Sequence, residues 1–157
     1  MEDSRNDDLV TALLTASRAL VGVSARSLAA VEDTVTIAQF RSLVILTTKG
    51  PSTLANLAGE LGVTASTAQR QVDRLVGLEL VTRRENPTDR REVVIDITSA
   101  GRRIVDTTTR RRRKAIATIV ANMTPVDSDA LIEALDAFAD AASEPSVDGD
   151  GAARLGW

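Results

Sequence analysis

The chain has 157 residues, the size of one domain or at most two, and its apolar fraction of 43% is enough for a packed core. It carries a formal net charge of -3 and contains neither Cys nor His. These absences exclude disulfides, thiolate nucleophiles, Cys/His zinc sites and Ser-His-Asp triads. Carboxylate, Lys or Ser-Lys enzymes remain conceivable. No carboxylate pair, phosphate-binding loop or metal motif supports one, so we expect neither an enzyme nor a cofactor.

The charge is unevenly distributed along the chain. Residues 1–50 carry a net charge of -1, residues 51–114 carry +5 and residues 115–157 carry -7. A basic middle segment is typical of a module that faces a polyanion, and a solvated charged surface is the alternative. The acidic start argues against a signal peptide, which needs a basic start. The lack of about 18 consecutive apolar residues argues against a membrane span. We therefore expect a cytoplasmic protein.

The first predicted element is a long amphipathic helix from about Asp7 to Val31. Its apolar side chains recur at spacings of three, four and seven residues. A stripe of about seven turns is longer than a small domain easily covers. The pattern therefore predicts packing against a partner chain, or else against another long helix of the same chain.

The second predicted helix begins near Thr36 and ends at Gly50-Pro51. Thr36 and Gln39 have the spacing of a capping box, in which each side chain bonds the other's backbone amide. Pro cannot continue a helix, so the chain must turn at residue 51.

Two short helices are predicted next, over Ser52–Leu61 and from Ala65 to about Gly77. The turn between them contains Gly62, and Thr64 can cap the second helix. Two short helices joined by a tight, Gly-containing turn predict a helix-turn-helix.

The spacing of apolar residues then changes from the helical period to the two-residue period of strands. Residues 80–85 and 92–97 are strand candidates, and the Pro-containing polar loop 86–91 between them predicts a hairpin with a basic tip. A helix-turn-helix followed by a hairpin is a winged helix. Its geometry suits DNA, because the major groove, about 12 Å wide, admits one helix. A neighbouring hairpin can place Arg in a narrow minor groove.

The last predicted helices run from Ser99, capped by Thr98, to about Met123, and from Asp127 or Ser128 to about residue 142. The run Arg110–Lys114 covers every face of its helix and cannot form one patch. We predict that it pairs with the acidic last helix or is solvated, rather than binding DNA. Residues 143–157 are rich in Ser, Pro, Gly and Asp and predict a mobile tail, although Leu155 and Trp157 could dock.

Residues 7–142 resemble the MarR family of bacterial transcriptional regulators. The motifs that carry the resemblance are Leu54–Ala58, Leu61–Thr64, Val72–Val76 with Leu80-Val81, the wing segment Arg83–Arg91, and Ile97–Gly101. The wing segment is the most specific of these. It departs from the family at Asn86, where many members carry Asp, and we expect no effect on DNA readout.

The resemblance implies a mainly α fold with a small β-hairpin wing. A winged helix-turn-helix at residues 36–98 would lie between dimerisation helices at residues 1–35 and 99–142. It also implies a homodimer that binds double-stranded DNA. Paired recognition helices would read half-sites about one helical turn apart on a pseudo-palindrome.

Carried over to this sequence, the resemblance implies two groups of DNA-binding residues. Arg70 would read guanine, Gln69 adenine, and Arg74 a phosphate. In the wing, Arg91 would enter the minor groove while Asp89 shapes the hairpin tip. The predicted recognition-helix residues are Thr64, Ser66, Thr67, Gln69, Arg70 and Arg74, and the predicted wing residues are Asp89, Arg90 and Arg91.

The resemblance further implies a small amphipathic or anionic effector between the dimerisation helices and the winged helix. Arg18, Phe40 and Arg41 are the residues there that offer a charge or an aromatic ring. Core packing of Phe40 and exposure of both arginines are the alternatives. The absence of His and Cys argues against zinc sensing and thiol oxidation.

The sequence thus predicts a ligand-responsive repressor that binds an operator as a homodimer. The alternative is a winged-helix module whose wing and recognition helix meet protein. The polar, Arg-bearing recognition helix favours DNA.

Overall fold

A computed structural model describes residues 2–31 and 33–142, so the predicted mobile tail, with Leu155 and Trp157, lies outside the described residues. The described elements are mainly helical, as predicted, with one small antiparallel sheet. In chain order they are α1 (Glu2–Ala29), α2 (Ile37–Lys49), β1 (Ser52–Thr53), α3 (Leu54–Leu61), α4 (Ala65–Gly77), β2 (Val81–Glu85), β3 (Val93–Ile97), α5 (Ser99–Ala121) and α6 (Ser128–Ala141).

Local capping sets most of the helix starts. The capping box that begins α2 is confirmed, because Thr36 N donates to Gln39 Oε1 at 2.9 Å and Gln39 N donates to Thr36 Oγ1 at 3.3 Å. The predicted caps of α4 and α5 are also confirmed, at Thr64 and Thr98. The prediction for α1 was too short at its start, because the polar residues before Leu9 carry no apolar periodicity.

The sheet has the strand order β1-β3-β2, and both pairings are antiparallel. Strands β2 and β3 form the predicted hairpin, with Val81 opposite Ile97 and Glu85 opposite Val93. Strand β1 was not predicted. It has two residues, too few to show an alternating pattern, and the helix expected to begin at Ser52 therefore begins at Leu54.

The core lies between α2, α3, α4, the inner face of the sheet and the first half of α5. Helix α4 contributes Ala68, Val72 and Leu75, each 0% exposed. One polar contact crosses this core region, where the buried Ser42 Oγ of α2 donates to Gln71 Oε1 of α4 at 3.2 Å. Spacings of four and three residues place these buried positions on one face, so the opposite face of α4 must be exposed.

The terminal helices leave apolar faces exposed within one protomer. Helix α6 buries no side chain, and Leu14 of α1 and Phe138 of α6 are 62% and 53% exposed. The expectation that no segment could span a membrane needs correction, because Ser4–Ala29 is long and apolar enough to do so. Scattered charges such as Arg18 interrupt the apolar residues of this segment, but its mean hydropathy stays high. Core helices of soluble proteins and signal sequences near the N-terminus have the same length and composition, so this feature is weak evidence for a membrane span.

The turn from α4 to β2 is fastened to the start of α5. Thr98 Oγ1 donates to Glu79 O at 2.8 Å and accepts from Gly101 N at 3.1 Å, and Thr98 N donates to Leu80 O at 3.0 Å. Gly101 lies so close to this turn that a Cβ there would be 2.4 Å from Leu80 O and 2.7 Å from Ile97 Cγ1. The backbone oxygen cannot move away without shifting the turn, so a side chain is excluded at residue 101.

We therefore expect Gly101→Ala to lower the free energy of unfolding by about 1–3 kcal/mol, the usual cost of overpacking. The matched control is Gly59→Ala in α3, where the added Cβ has nothing within 4 Å. It should raise stability by about 0.5 kcal/mol, because Gly weakens a helix relative to Ala. Urea unfolding at one fixed protein concentration compares the two. Equal midpoints would mean that the close approach at residue 101 has no energetic effect.

Candidate nucleic-acid interface

The predicted recognition-helix residues lie on the face of α4 that points away from the core. Thr64, Ser66, Arg70 and Arg74 are exposed, whereas Thr67 and Gln69 are half-buried. Burial of the opposite face fixes the rotation of α4 about its axis. Arg70 and Arg74, one turn apart, consequently project on the same side.

The start of α4 carries a cluster of hydroxyl groups. Thr64 Oγ1 lies 3.1 Å from Ser66 Oγ and donates to Thr67 Oγ1 at 3.0 Å, and it also accepts from Thr67 N at 3.3 Å. Arg70 Nη2 donates to Thr67 Oγ1 at 3.4 Å. Amides at a helix start carry partial positive charge, so this end of α4 combines donors and a guanidinium suited to an anion.

The predicted wing residues are all exposed at the tip of the β2–β3 hairpin. Asp89 Oδ1 accepts from Arg91 N at 2.9 Å, and Asp89 O accepts from Glu92 N at 3.0 Å. The Asp89 carboxylate is therefore occupied in shaping the turn that carries Arg90 and Arg91. Neither guanidinium has a described partner within the protomer.

Asn86 holds the base of the same loop through both ends of its amide. Its Oδ1 accepts from Thr88 N at 3.1 Å and from Thr88 Oγ1 at 2.8 Å, and its Nδ2 donates to Glu92 Oε2 at 3.0 Å. An Asp at this position could accept the first two bonds but could not donate to Glu92. The departure from the family pattern at Asn86 is therefore matched by the neighbouring Glu92.

A cleft of about 360 Å³ separates α4 from the wing, and it brings Gln69 of α4 together with Arg83 and Arg91 of the wing. Asp73 joins two of these lining residues, because its Oδ1 accepts from Gln69 Nε2 at 3.0 Å and forms an ion pair with Nη2 of Arg83. The spacing of Gln69 and Asp73 signals an i, i+4 contact, but the approach of Arg83 depends on the tertiary fold.

The basic run Arg110–Lys114 on α5 has one member on the inner side of the helix and four on its exposed sides, as expected for successive residues of a helix. Arg112 is half-buried, and burial lowers the pKa of its guanidinium. The other members of the run are exposed, and Arg110 Nη2 donates to Thr107 Oγ1 at 3.4 Å.

The acidic residues of α6 do not face its apolar side. Asp129, Glu133, Asp136 and Asp140 follow spacings of four, three and four residues and form one exposed stripe. Leu131, Leu135 and Phe138 lie on the other side of the helix. A helix that packs through its apolar face turns this acidic stripe to solvent, which favours solvation over pairing with the basic run.

The residues expected to hold an effector differ in their exposure. Phe40 is 2% exposed and belongs to the core, whereas Arg18 and Arg41 are exposed. None of the three lines the cleft beside α4, nor the second described cleft, which lies between α2 and α3. The effector site stays a prediction.

Comparison with known proteins matches this chain to a family model and to a curated transcriptional repressor. The MarR family model matches residues 35–93, which span α2 to the first residue of β3. The HTH-type transcriptional repressor NicR of Pseudomonas putida is 35% identical over 77 residues. That match covers 49% of this chain and 49% of NicR, so it spans about half of the curated relative.

Two solved structures extend the likeness to the terminal helices. RV1404 from Mycobacterium tuberculosis is 50% identical, with a TM-score of 0.78 over 89% of this chain and 95% of that chain. A MarR family protein from Bacillus stearothermophilus has the same TM-score of 0.78 at 20% identity, over 92% and 99% of the two chains. The second match shows that the fold is that of a MarR family winged helix.

The contacts of Asn86 generate a prediction about the wing. Asn86→Asp replaces the donor to Glu92 with a second carboxylate, and two like charges at this distance repel by about 1 kcal/mol when bulk water surrounds them. We expect the amides of residues 86 and 92 to exchange hydrogen roughly fivefold faster. The Thr88 amide is the internal control, because an Asp still accepts its bond.

Adding Glu92→Gln to the Asn86→Asp variant removes the repulsion and restores a donor, so exchange should return toward the wild-type rate. Hydrogen exchange followed by mass spectrometry or NMR measures each amide. If Asn86→Asp leaves all wing amides unchanged, the amide contacts of Asn86 do not stabilise the loop.

Proposed function

This chain belongs to the MarR family, whose members are transcriptional regulators, and we propose that it is a sequence-specific DNA-binding repressor that acts in the cytoplasm as a homodimer. The repressor assignment draws on the likeness to NicR. The operator would be a pseudo-palindrome, since a two-fold dimer presents two copies of α4.

One observation carries the DNA-binding proposal. The polar face of α4 and the tip of the wing are both exposed, and they flank a single cleft. They carry Arg70 and Arg74 on the helix and Arg90 and Arg91 on the wing. This arrangement suits a major groove next to a minor groove, because the helix can reach base edges while the hairpin follows the neighbouring groove.

The homodimer is supported by the terminal helices. An isolated helix of 14 residues such as α6 is marginal in water, and α6 buries none of its side chains in one protomer. Helix α1 and the end of α5 also expose apolar residues, at Leu9, Leu14, Val21, Ile119, Val120 and Met123. A second copy offers the same surface, so a two-fold contact would cover both at once. The effector that the family resemblance implies stays a prediction.

The DNA-binding proposal is tested with a duplex that the wild-type protein selects from a random library. Arg70→Ala should cost about 1–3 kcal/mol of binding and relax discrimination at one base pair in each half-site. Arg91→Ala should weaken binding most at A·T-rich flanks, where the minor groove is narrow. Affinity of the wild type should fall steeply as salt rises, because bound phosphates release counterions.

Arg113→Ala is the matched control, since it removes an exposed guanidinium of α5 outside this surface. It should bind like the wild type. Failure of the wild type to select any duplex would overturn the proposal and favour the protein-interaction alternative. So would Arg70→Ala and Arg91→Ala variants that fold normally, by circular dichroism, and bind every duplex unchanged.

The dimer prediction uses two exposed apolar residues of similar accessibility. Leu135 of α6 is 52% exposed and Val93 of the wing is 44% exposed. Leu135→Glu should dissociate the dimer at micromolar concentration, because it places a charge in an apolar interface. Val93→Glu should remain dimeric. Light scattering gives the mass of each variant, and a monomeric wild type, or a fully dimeric Leu135→Glu variant, would contradict this interface.

A further inference from the structure

Asp73 is an acidic residue on the exposed face of a helix proposed to meet a polyanion. Its Oδ1 accepts from Gln69 Nε2 at 3.0 Å and from Nη2 of Arg83. The pair with Arg83 joins α4 to β2 and so links the two elements that carry the predicted DNA contacts. A carboxylate at this position weakens attraction to phosphate, so its presence calls for a compensating role.

We propose that Asp73 is a specificity-determining residue: its carboxylate orients the Gln69 amide to read adenine and holds Arg83 away from DNA phosphate. This inference rests on the proposed DNA-binding function. It assigns Asp73 a positioning role, since Asp73 acts through two other side chains.

The chemistry of the carboxylate fixes the orientation of Gln69. An ionised carboxylate only accepts hydrogen bonds, so the Gln69 NH₂ group, and not its oxygen, must face Asp73. One N–H is used in this contact. The second N–H and Oε1 remain available, and they match the N7 acceptor and the N6 donor of adenine in the major groove. Without Asp73, the amide can turn over and its discrimination between purines is lost.

Asp73 also acts on Arg83. Its side chain is 33% exposed and lines the cleft between α4 and the wing. While it is paired with Asp73, its charge is neutralised locally and its direction is fixed along the protein surface. Removal of Asp73 leaves this guanidinium unpaired in the cleft, where a phosphate of bound DNA can replace the carboxylate. That contact carries no sequence information.

Asp73→Ala should therefore change two quantities in opposite directions. Discrimination between adenine and guanine at the position read by Gln69 should fall roughly tenfold. Affinity for a random duplex should rise, and the slope of log affinity against log salt should become steeper by about 1. A purely structural defect would weaken all binding and would not steepen the slope.

Double variants assign each effect to its side chain. In a Gln69→Ala background, Asp73→Ala should cause no further loss of discrimination. In an Arg83→Gln background, Asp73→Ala should leave the salt slope unchanged. Asp106→Asn, which removes an exposed carboxylate from α5, is the charge control and should alter neither quantity. Thermal unfolding checks each variant, and an exposed ion pair contributes little to stability.

The outcomes separate this inference from the function on which it rests. A wild type that binds no selected duplex overturns the proposed function. A wild type that binds with base discrimination, next to an Asp73→Ala variant with the same discrimination and slope, overturns the role of Asp73 alone. Additive losses in the Gln69→Ala background also overturn it, because the effect would then not pass through Gln69.

Discussion

Burial of one face of α4 is the constraint on which the rest of the surface depends. Ala68, Val72 and Leu75 are completely covered by the core, and any rotation of α4 would expose them. At about 25 cal/mol per Å² of apolar surface, two large side chains alone contribute several kcal/mol to holding this orientation. The orientation of the polar face is therefore fixed in the folded protomer, so the proposed binding of DNA by α4 would cost little conformational entropy.

The wing takes its position from the same core, through different contacts. Ile95 and Ile97 anchor β3, while the turn after α4 is fastened to α5 by Thr98 and the close approach of Gly101. Asp73 and Arg83 then join the wing to α4 from the exposed side. Helix, wing and α5 consequently form one connected unit. A shift of α5 at its start would be transmitted to the turn between α4 and β2.

Sequence reasoning predicted the elements whose signals are local. The Thr caps, the Gly-Pro and Gly turns, and the 3.6-residue and 2-residue periods located five of the helices and the hairpin closely. Strand β1 was missed because Ser52 and Thr53 become a strand only through pairing with β3. The Asp73–Arg83 pair was missed for the same reason, since it joins residues ten positions apart whose approach depends on how the hairpin packs. Four of the six predicted recognition-helix residues and all three predicted wing residues are exposed, and DNA contact by them stays a prediction.

Electrostatics explains how a chain with a net charge of -3 can present a surface for a polyanion. Residues 51–114 carry +5, whereas the acidic stripe of α6 belongs to a segment outside the winged helix. Charges separated by more than about 8–10 Å are largely screened at physiological salt, so attraction depends on the local balance rather than on the total. Asp73 and Glu92 reduce that local balance, but each is engaged with a neighbouring side chain, Arg83 or Asn86. On the proposed DNA-binding surface, these two acidic residues would lower nonspecific attraction to phosphate and fix the geometry of their partners, and discrimination between sequences requires such fixed geometry.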